Sequence, residues 1–490
     1  MRQTGILRNR RKASYRVDPA FKHRLENCHN SETMNFCYQC GTCAAACPVS
    51  KFIDIYRPNK IIELAKLGIR NIPQSSAFLF CSACTICTKG CPQGVAVHEI
   101  MHALKETVVE DQEVRKFIYD HLDEILDQLG AEMPIPFAYC WICLRPNWED
   151  KNSDSFIGAM KYALYKAKIK PESKHSPIRP GAKKVAVIGS GPAGLTAAWK
   201  LAREGIAVTV FESLPEMGGM LRTGIPLFRL PKDVLDYEIE KIRSMGVEMK
   251  TNTMIDGDIF ETLIKSGEFS AVFLATGAYK SRKLNVASDD MEGIVPAVEF
   301  LKEYNLNGTA EVGKNVVVIG GGNVATDAAG AALLCGAESV KMFCLEDRNS
   351  MPAHIWEIED VAAKGCEINP SWGPKAILGD EKVTGVEFVF CKSVIDSNGR
   401  FAPVFDEKKT QIVEADMVIS AIGQAPDLSY LSKNVDTERG AVAIDQYTRT
   451  NLPGVFAGGD AASGTSTLIE AIIDGKMAAK SIVEYLGELE

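Results

Sequence analysis

Two cysteine runs share one spacing. Cys37, Cys40, Cys43 and Cys47 stand two, two and three residues apart and are followed by Pro48; Cys81, Cys84, Cys87 and Cys91 repeat the pattern and are followed by Pro92. Of 15 cysteines, only Cys335, Cys344, Cys366 and Cys391 lie beyond the first third, singly, and these read as small buried hydrophobes. A disulfide framework belongs to short secreted chains. This chain has 490 residues, and the stretch before Cys28 shows no apolar run of the signal-peptide kind. The clustered thiols therefore read as metal ligands in a reducing, cytoplasmic compartment.

The spacing has a chemical reason. Three thiolates on one tight loop can each reach a different iron of a single cube, while the fourth is carried away on the next segment. This is the [4Fe–4S] spacing of bacterial ferredoxins, where the fourth cysteine of each run serves the other cluster. It predicts one cube on Cys37, Cys40, Cys43 and Cys91, and a second on Cys81, Cys84, Cys87 and Cys47. Zinc, the competing metal, is bound by CxxC pairs rather than by a doubled run of this kind. A further pair, Cys140 and Cys143, could join Cys28 or a partner's residues at a third metal site, act as a dithiol, or lie buried on a loop.

From Lys184 the character changes to alternating strands and helices, a doubly wound α/β pattern. Length alone suggests about three domains. The expected division is a helical iron–sulfur domain over 1–150, a linker over 151–182 and a dinucleotide-binding region over 183–490, which the resemblance described below divides into one domain in two parts (183–311 and 416–490) and a second inserted over 312–415. Two strand–turn–helix units carry glycine fingerprints. In the first, Gly189, Gly191 and Gly194 follow the strand Val185 to Ile188, and Glu212 closes the next strand, where an acid accepts hydrogen bonds from a ribose. In the second, Gly320 and Gly322 precede Asn323, Val324 and Ala325, with alanine at the third glycine position. A helix N-terminus offers free N–H groups to a pyrophosphate, so two such units imply a flavin and a nicotinamide dinucleotide. A net charge of −8 argues against nucleic-acid binding, and no run of 18 apolar residues exists to insert in a membrane.

Several segments resemble known families. Residues 35 to 110, including CYQCGTCAAACPVS and CSACTICTKGCPQGVAVHEIM, resemble the small iron–sulfur subunit of heterodisulfide reductase, which implies a helical ferredoxin-like electron wire within a complex. Thr276 and Gly277, and later Gly459 and Asp460, resemble the flavin-contacting motifs of two-dinucleotide-binding-domain flavoproteins; in these the aspartate holds the ribityl or phosphate part of FAD. Residues 183 to 490 resemble the small subunit of glutamate synthase and the large subunit of electron-bifurcating transhydrogenases, through GGMLRTGIPLFRLPKD, GGGNVATDAAG, MPAH and GVFAGGDAASGTSTLIEAIIDGKMAA. The resemblance implies an FAD domain with an inserted NAD(P) domain, and adds Gly219, Arg222, Gly423 and Thr467 to the cofactor-binding residues. NADPH-using members carry two adjacent arginines where this chain has Leu345 and Glu346. A carboxylate there would pair with a free ribose 2′-hydroxyl and repel a 2′-phosphate, which favours NAD(H); Arg348 keeps NADP(H) open.

The expectation is a flavin iron–sulfur oxidoreductase subunit. Hydride passes between nicotinamide and FAD through stacking geometry, with no general acid or base. Single electrons run over the two clusters to or from other redox subunits, such as an NADH-oxidising flavin iron–sulfur subunit, or ferredoxin, with electron bifurcation as the specific role. The rivals are a glutamate-synthase-like subunit feeding another enzyme and a non-catalytic zinc- and nucleotide-binding module.

Overall fold

The computed structural model describes residues 17–28, 30–51, 56–69, 81, 84–110, 181–284, 286, 291–432 and 434–488. Cys140, Cys143 and most of the expected linker lie outside these residues. The chain divides into two compact units: Met1–Glu172 with Thr467–Ile473, and Ser173–Ser466 with Asp474–Glu490.

The described part of the N-terminal unit is helical. Asp18 caps the helix Pro19–Glu26 by accepting from the backbone N–H of Ala20 at 2.9 Å and of Phe21 at 3.2 Å, and Pro19 fills the first helical position, where no N–H is needed. Helix Pro58–Lys66 turns Ile61, Ile62 and Ala65 inward, and helix Val97–Glu110 turns Ile100, Met101 and Leu104 inward. These side chains join Leu25, Met34 and Tyr56 in one core, which also takes Ile469 and Ile472. Cys43, Cys47, Cys81 and Cys87 belong to this core, and Cys37, Cys84 and Cys91 pack against it. Each cysteine run folds into a single turn of helix, Thr42–Ala46 and Ile86–Lys89, preceded by a left-handed residue, Gly41 or Thr85.

The second unit holds two parallel five-stranded sheets. The first runs Val455–Ala457, Ala271–Leu274, Lys184–Ile188, Ala207–Phe211, Glu248–Lys250. The other runs Ile294–Pro296, Met417–Ser420, Asn315–Ile319, Ser339–Cys344, Glu367–Pro370. In both, the strand feeding the glycine turn is central, and after its first residue it is buried throughout, as strands covered on both faces must be. Residues 455–457 complete a sheet begun at Lys184, so the first dinucleotide fold is split in sequence and the second is inserted within it. The second sheet recruits Ile294–Pro296 and Met417–Ser420, and helix Ala297–Asn307 packs in its core, so it draws on residues either side of 312–415. We propose that the inserted domain begins near 291 and ends near 420. A three-stranded antiparallel sheet, Trp372–Gly379, Val383–Ile395 and Phe401–Glu414, follows the parallel strands, and a two-residue antiparallel ladder joins Lys280–Ser281 to Gln424–Ala425.

Candidate functional site

In the N-terminal unit, Cys37, Cys40, Cys43 and Cys91 line one recess of about 330 Å³, its open mouth included. Cys91 therefore leaves its own run to join the other. The thiol of Cys87 in turn lies within electrostatic reach of Cys81, Cys84 and Cys47, and after them of Cys43. The crosswise grouping has a cause in the fold: helices Thr42–Ala46 and Ile86–Lys89 pack together, which brings the end of each run to the start of the other.

Among the described residues no three His, Cys, Asp or Glu side chains converge on a point that one ion would occupy. These thiols stand around a volume instead, which suits a cluster several atoms across. Burial and the neighbouring Cys37 push the Cys43 thiol up to about 11; burial also pushes Cys87 and Cys47 up. Four crowded sulfurs ionise together only around a positively charged centre, and an iron–sulfur core supplies one. The donor set thus fits two [4Fe–4S] clusters.

The first glycine turn is closed on itself. Gly189, at φ 101°, sits where a Cβ would lie 2.3 Å from the Ala275 carbonyl oxygen, and a Cβ on Gly194 would lie 2.0 Å from that of Gly189. Only bare backbone lets the helix Pro192–Arg203 approach the strand so closely, leaving its N-terminal N–H groups open to a phosphate. Glu212 is buried. One carboxylate oxygen accepts from the Ser190 amide (3.0 Å) and hydroxyl (2.5 Å), and the other from the Leu214 amide (2.9 Å) and the Ser213 hydroxyl (3.2 Å), so a ribose hydroxyl would take its place here by displacing a serine hydroxyl. Gly219 presses on the turn: its Cβ would be 2.9 Å from the Gly191 Cα.

Other expected residues are committed within the fold. Arg222 is buried, donates to the Met217 carbonyl at 3.1 Å and pairs with Glu216 and Asp236. Thr276 meets the Tyr430 hydroxyl at 3.1 Å, and Gly277 follows it at φ 71°. The Gly459 amide donates to Asp474 at 2.8 Å, while Asp460 accepts from the Ser466 amide (3.2 Å) and hydroxyl (3.0 Å). Gly423 accepts from the Arg282 amide at 3.1 Å. Thr467, grouped with the N-terminal unit, donates its hydroxyl to Glu470 at 2.7 Å.

The second turn is covered differently. A Cβ on Gly320 would sit 2.4 Å from the Ala421 carbonyl oxygen. Gly322 precedes the helix Asn323–Leu334, in which Ala325 is buried and Val324 half-buried. The MPAH segment folds over the turn: the Ala353 amide donates to the Gly321 carbonyl at 3.0 Å and the His354 amide to the Asn323 side chain at 3.2 Å. Glu346 points its carboxylate at the turn, 3.1 Å from where a Cβ of Gly321 would be. Arg348 is half-buried near Met351.

Sequence reasoning missed two features. Gly475 lies where a Cβ would meet the Ala193 carbonyl oxygen at 2.3 Å, so the C-terminal helix packs bare against the first turn's helix. Arg229 donates to Asp327 at 2.6 Å and to Glu357 at 2.5 Å, nearly out of water. Burial pushes Glu357 up to about 7 and raises Asp327 as well, against the lowering pull of Arg229.

The family model for pyridine nucleotide-disulphide oxidoreductases matches residues 183–475. The chain belongs to this family. A 4Fe-4S dicluster domain model matches residues 36–96, so this oxidoreductase carries an FAD-type redox domain and a two-cluster domain in one chain. The chain is 42% identical to the β subunit of the NADP(+)-dependent formate dehydrogenase of Moorella thermoacetica, over 62% of this chain and 44% of that protein. It is 35% identical to the β subunit of the NADPH-Fe(3+) oxidoreductase of Geobacter sulfurreducens, over 75% of this chain and 60% of that one. It is 34% identical to the glutamate synthase [NADPH] small chain of Escherichia coli (strain K12), over 64% and 70%. The chain thus spans about half the length of the first two relatives. All three carry NADP in their names, and the preference for NAD(H) expected from Glu346 finds no support among them. Among the described residues no helix is long and apolar enough to cross a membrane.

Proposed function

We propose that this chain exchanges hydride between NAD(P)H and FAD and passes single electrons through two [4Fe–4S] clusters to or from partner redox subunits. The observation that carries the reading is the co-occurrence, in one chain, of two glycine turns built for dinucleotides and two thiol groups assembled crosswise. Bound FAD supplies the conversion between two-electron and one-electron chemistry. The chain's own residues position. Gly189, Gly191 and Gly194 bring backbone N–H groups to one pyrophosphate, and Gly320, Gly322 and Asn323 to the other. Glu212 takes the first ribose, and Glu346 and Arg348 stand at the second. The subunit names of the formate dehydrogenase and Fe(3+) oxidoreductase relatives support a place in a hetero-oligomeric complex. Electron bifurcation is the finer role, supported by resemblance to the large subunit of bifurcating transhydrogenases.

The test is an anaerobic titration of reconstituted protein with NADH and, separately, NADPH, following flavin bleaching and cluster EPR together. Bleaching by either nucleotide with cluster reduction supports the reading. Zinc without iron, or a flavin that neither nucleotide reduces, overturns it.

A further inference from the structure

The two cysteine runs match in spacing but not in what lies between the cysteines. Tyr38 and Gln39 separate the first two thiols of the first run; Ser82 and Ala83 hold those positions in the second. Gln39 is also conformationally unusual. It occupies the left-handed region at φ 64°, which non-glycine residues seldom enter. Such outliers persist where surrounding contacts over-determine them, and they gather at functional positions.

The contacts here are specific. The Gln39 side-chain nitrogen donates to the Asn59 carbonyl at 2.9 Å, and the Asn59 side chain donates back to the Gln39 carboxamide oxygen at 3.3 Å. Both ends of the amide are thereby fixed, and an N–H is aimed at the Cys37 sulfur, 3.3 Å away. Further donors and charge converge on the same group. The Val95 amide donates to the Cys91 sulfur at 3.3 Å, and the Lys66 ammonium sits on the Cys37 carbonyl at 3.1 Å. Cys40 is exposed, whereas Cys47, Cys81 and Cys87 are buried.

We propose that Gln39, held by Asn59, is a tuning residue that raises the reduction potential of the first cluster. This rests on the reading that the eight thiols hold two [4Fe–4S] clusters. The physics is general: reduction adds negative charge to the cluster and its sulfurs, and N–H donors, nearby cations and water all stabilise that charge. Ala83, at the matching position of the second run, has no side-chain donor to offer.

The test is an EPR-monitored redox titration of the anaerobically reconstituted full chain. Wild type, Gln39→Met, Asn59→Ala and Ala83→Gln are compared. Methionine keeps the length of glutamine and removes the N–H. Gln39→Met is expected to lower one midpoint and leave the other in place, Asn59→Ala to lower the same midpoint by less, and Ala83→Gln to raise the other. If Gln39→Met loads poorly, Asn59→Ala carries the comparison. Unmoved midpoints in loaded variants, or both midpoints shifting together, overturn the proposal. Absence of two cluster signals in wild type overturns the underlying reading instead.

Discussion

The two glycine turns share a motif and differ in how they are closed. The first keeps glycine at its third position, buries Glu212 with both oxygens already engaged, and carries the Gly219 backbone pressed on top. The second accepts Ala325 there, leaves Glu346 half-exposed, and is covered by a loop held through two backbone amides. One turn is built into the body of its domain; the other is roofed by a segment hydrogen-bonded across it. The contrast matches a cofactor that stays and a cofactor that comes and goes.

The sharpest way to break this comparison is to substitute the third position of each turn. Gly194→Val drives a side chain into the Gly189 carbonyl oxygen, 2.0 Å from where its Cβ must go, so the purified protein is expected to hold almost no flavin. Ala325→Gly should keep nucleotide binding and lose no more than about 1 kcal/mol of stability. Flavin content by absorbance and thermal melting measure the pair; equal tolerance at both sites would remove the distinction.

A smaller effect is expected at the acids. Glu346→Arg removes the carboxylate beside Gly321, which would repel a 2′-phosphate there, and supplies a cation. The ratio of kcat/KM for NADPH over NADH should rise at least ~10-fold, about 1.4 kcal/mol. Glu212→Gln keeps the shape of the first site but not its charge, and flavin should be retained with weaker affinity, measured by flavin release on dilution. A larger loss of nucleotide discrimination at Glu212 than at Glu346 would reverse the roles assigned to the two turns.

The last test bears on what joins them. Arg229, from the chain that follows the first turn, bridges Asp327 on the second turn's helix to Glu357. Burial holds the Glu357 carboxyl near 7, above its unfolded value of 4.5. A raised carboxyl contributes stability that is present below about pH 4.5 and lost as pH rises through about 7. Wild type should therefore lose ground to Glu357→Gln between pH 5 and 8, by on the order of 2 kcal/mol or less. Melting curves of both proteins across that range read the difference directly; parallel curves would remove the raised carboxyl from the account.

How much of this was legible depended on whether the chemistry was local. The glycine turns could be read because strand, turn and helix are contiguous, and Glu212 closes the very next strand. The grouping of Cys91 with Cys37 could be read because, in two-cluster ferredoxins of this spacing, the fourth cysteine of each run serves the other cluster. Arg229 could not: its partners lie 98 and 128 positions away, and nothing in a sequence marks an arginine as destined for two buried acids. Gly475 was invisible for a related reason, since its role is set by the carbonyl of Ala193 on a helix nearly three hundred positions earlier. Ile294–Pro296 is a three-residue strand, too short to show alternation, so the inserted fold could not be bounded from pattern alone.

The short ladder between Lys280–Ser281 and Gln424–Ala425 has an evolutionary meaning. The chain goes out into the second dinucleotide fold and comes back along two strands lying side by side. The inserted fold thus leaves its host and returns to it across one pair of strands, as a cassette does, and packs on it through Arg229 as well. A gene can gain, lose or exchange such a cassette without re-threading the first sheet.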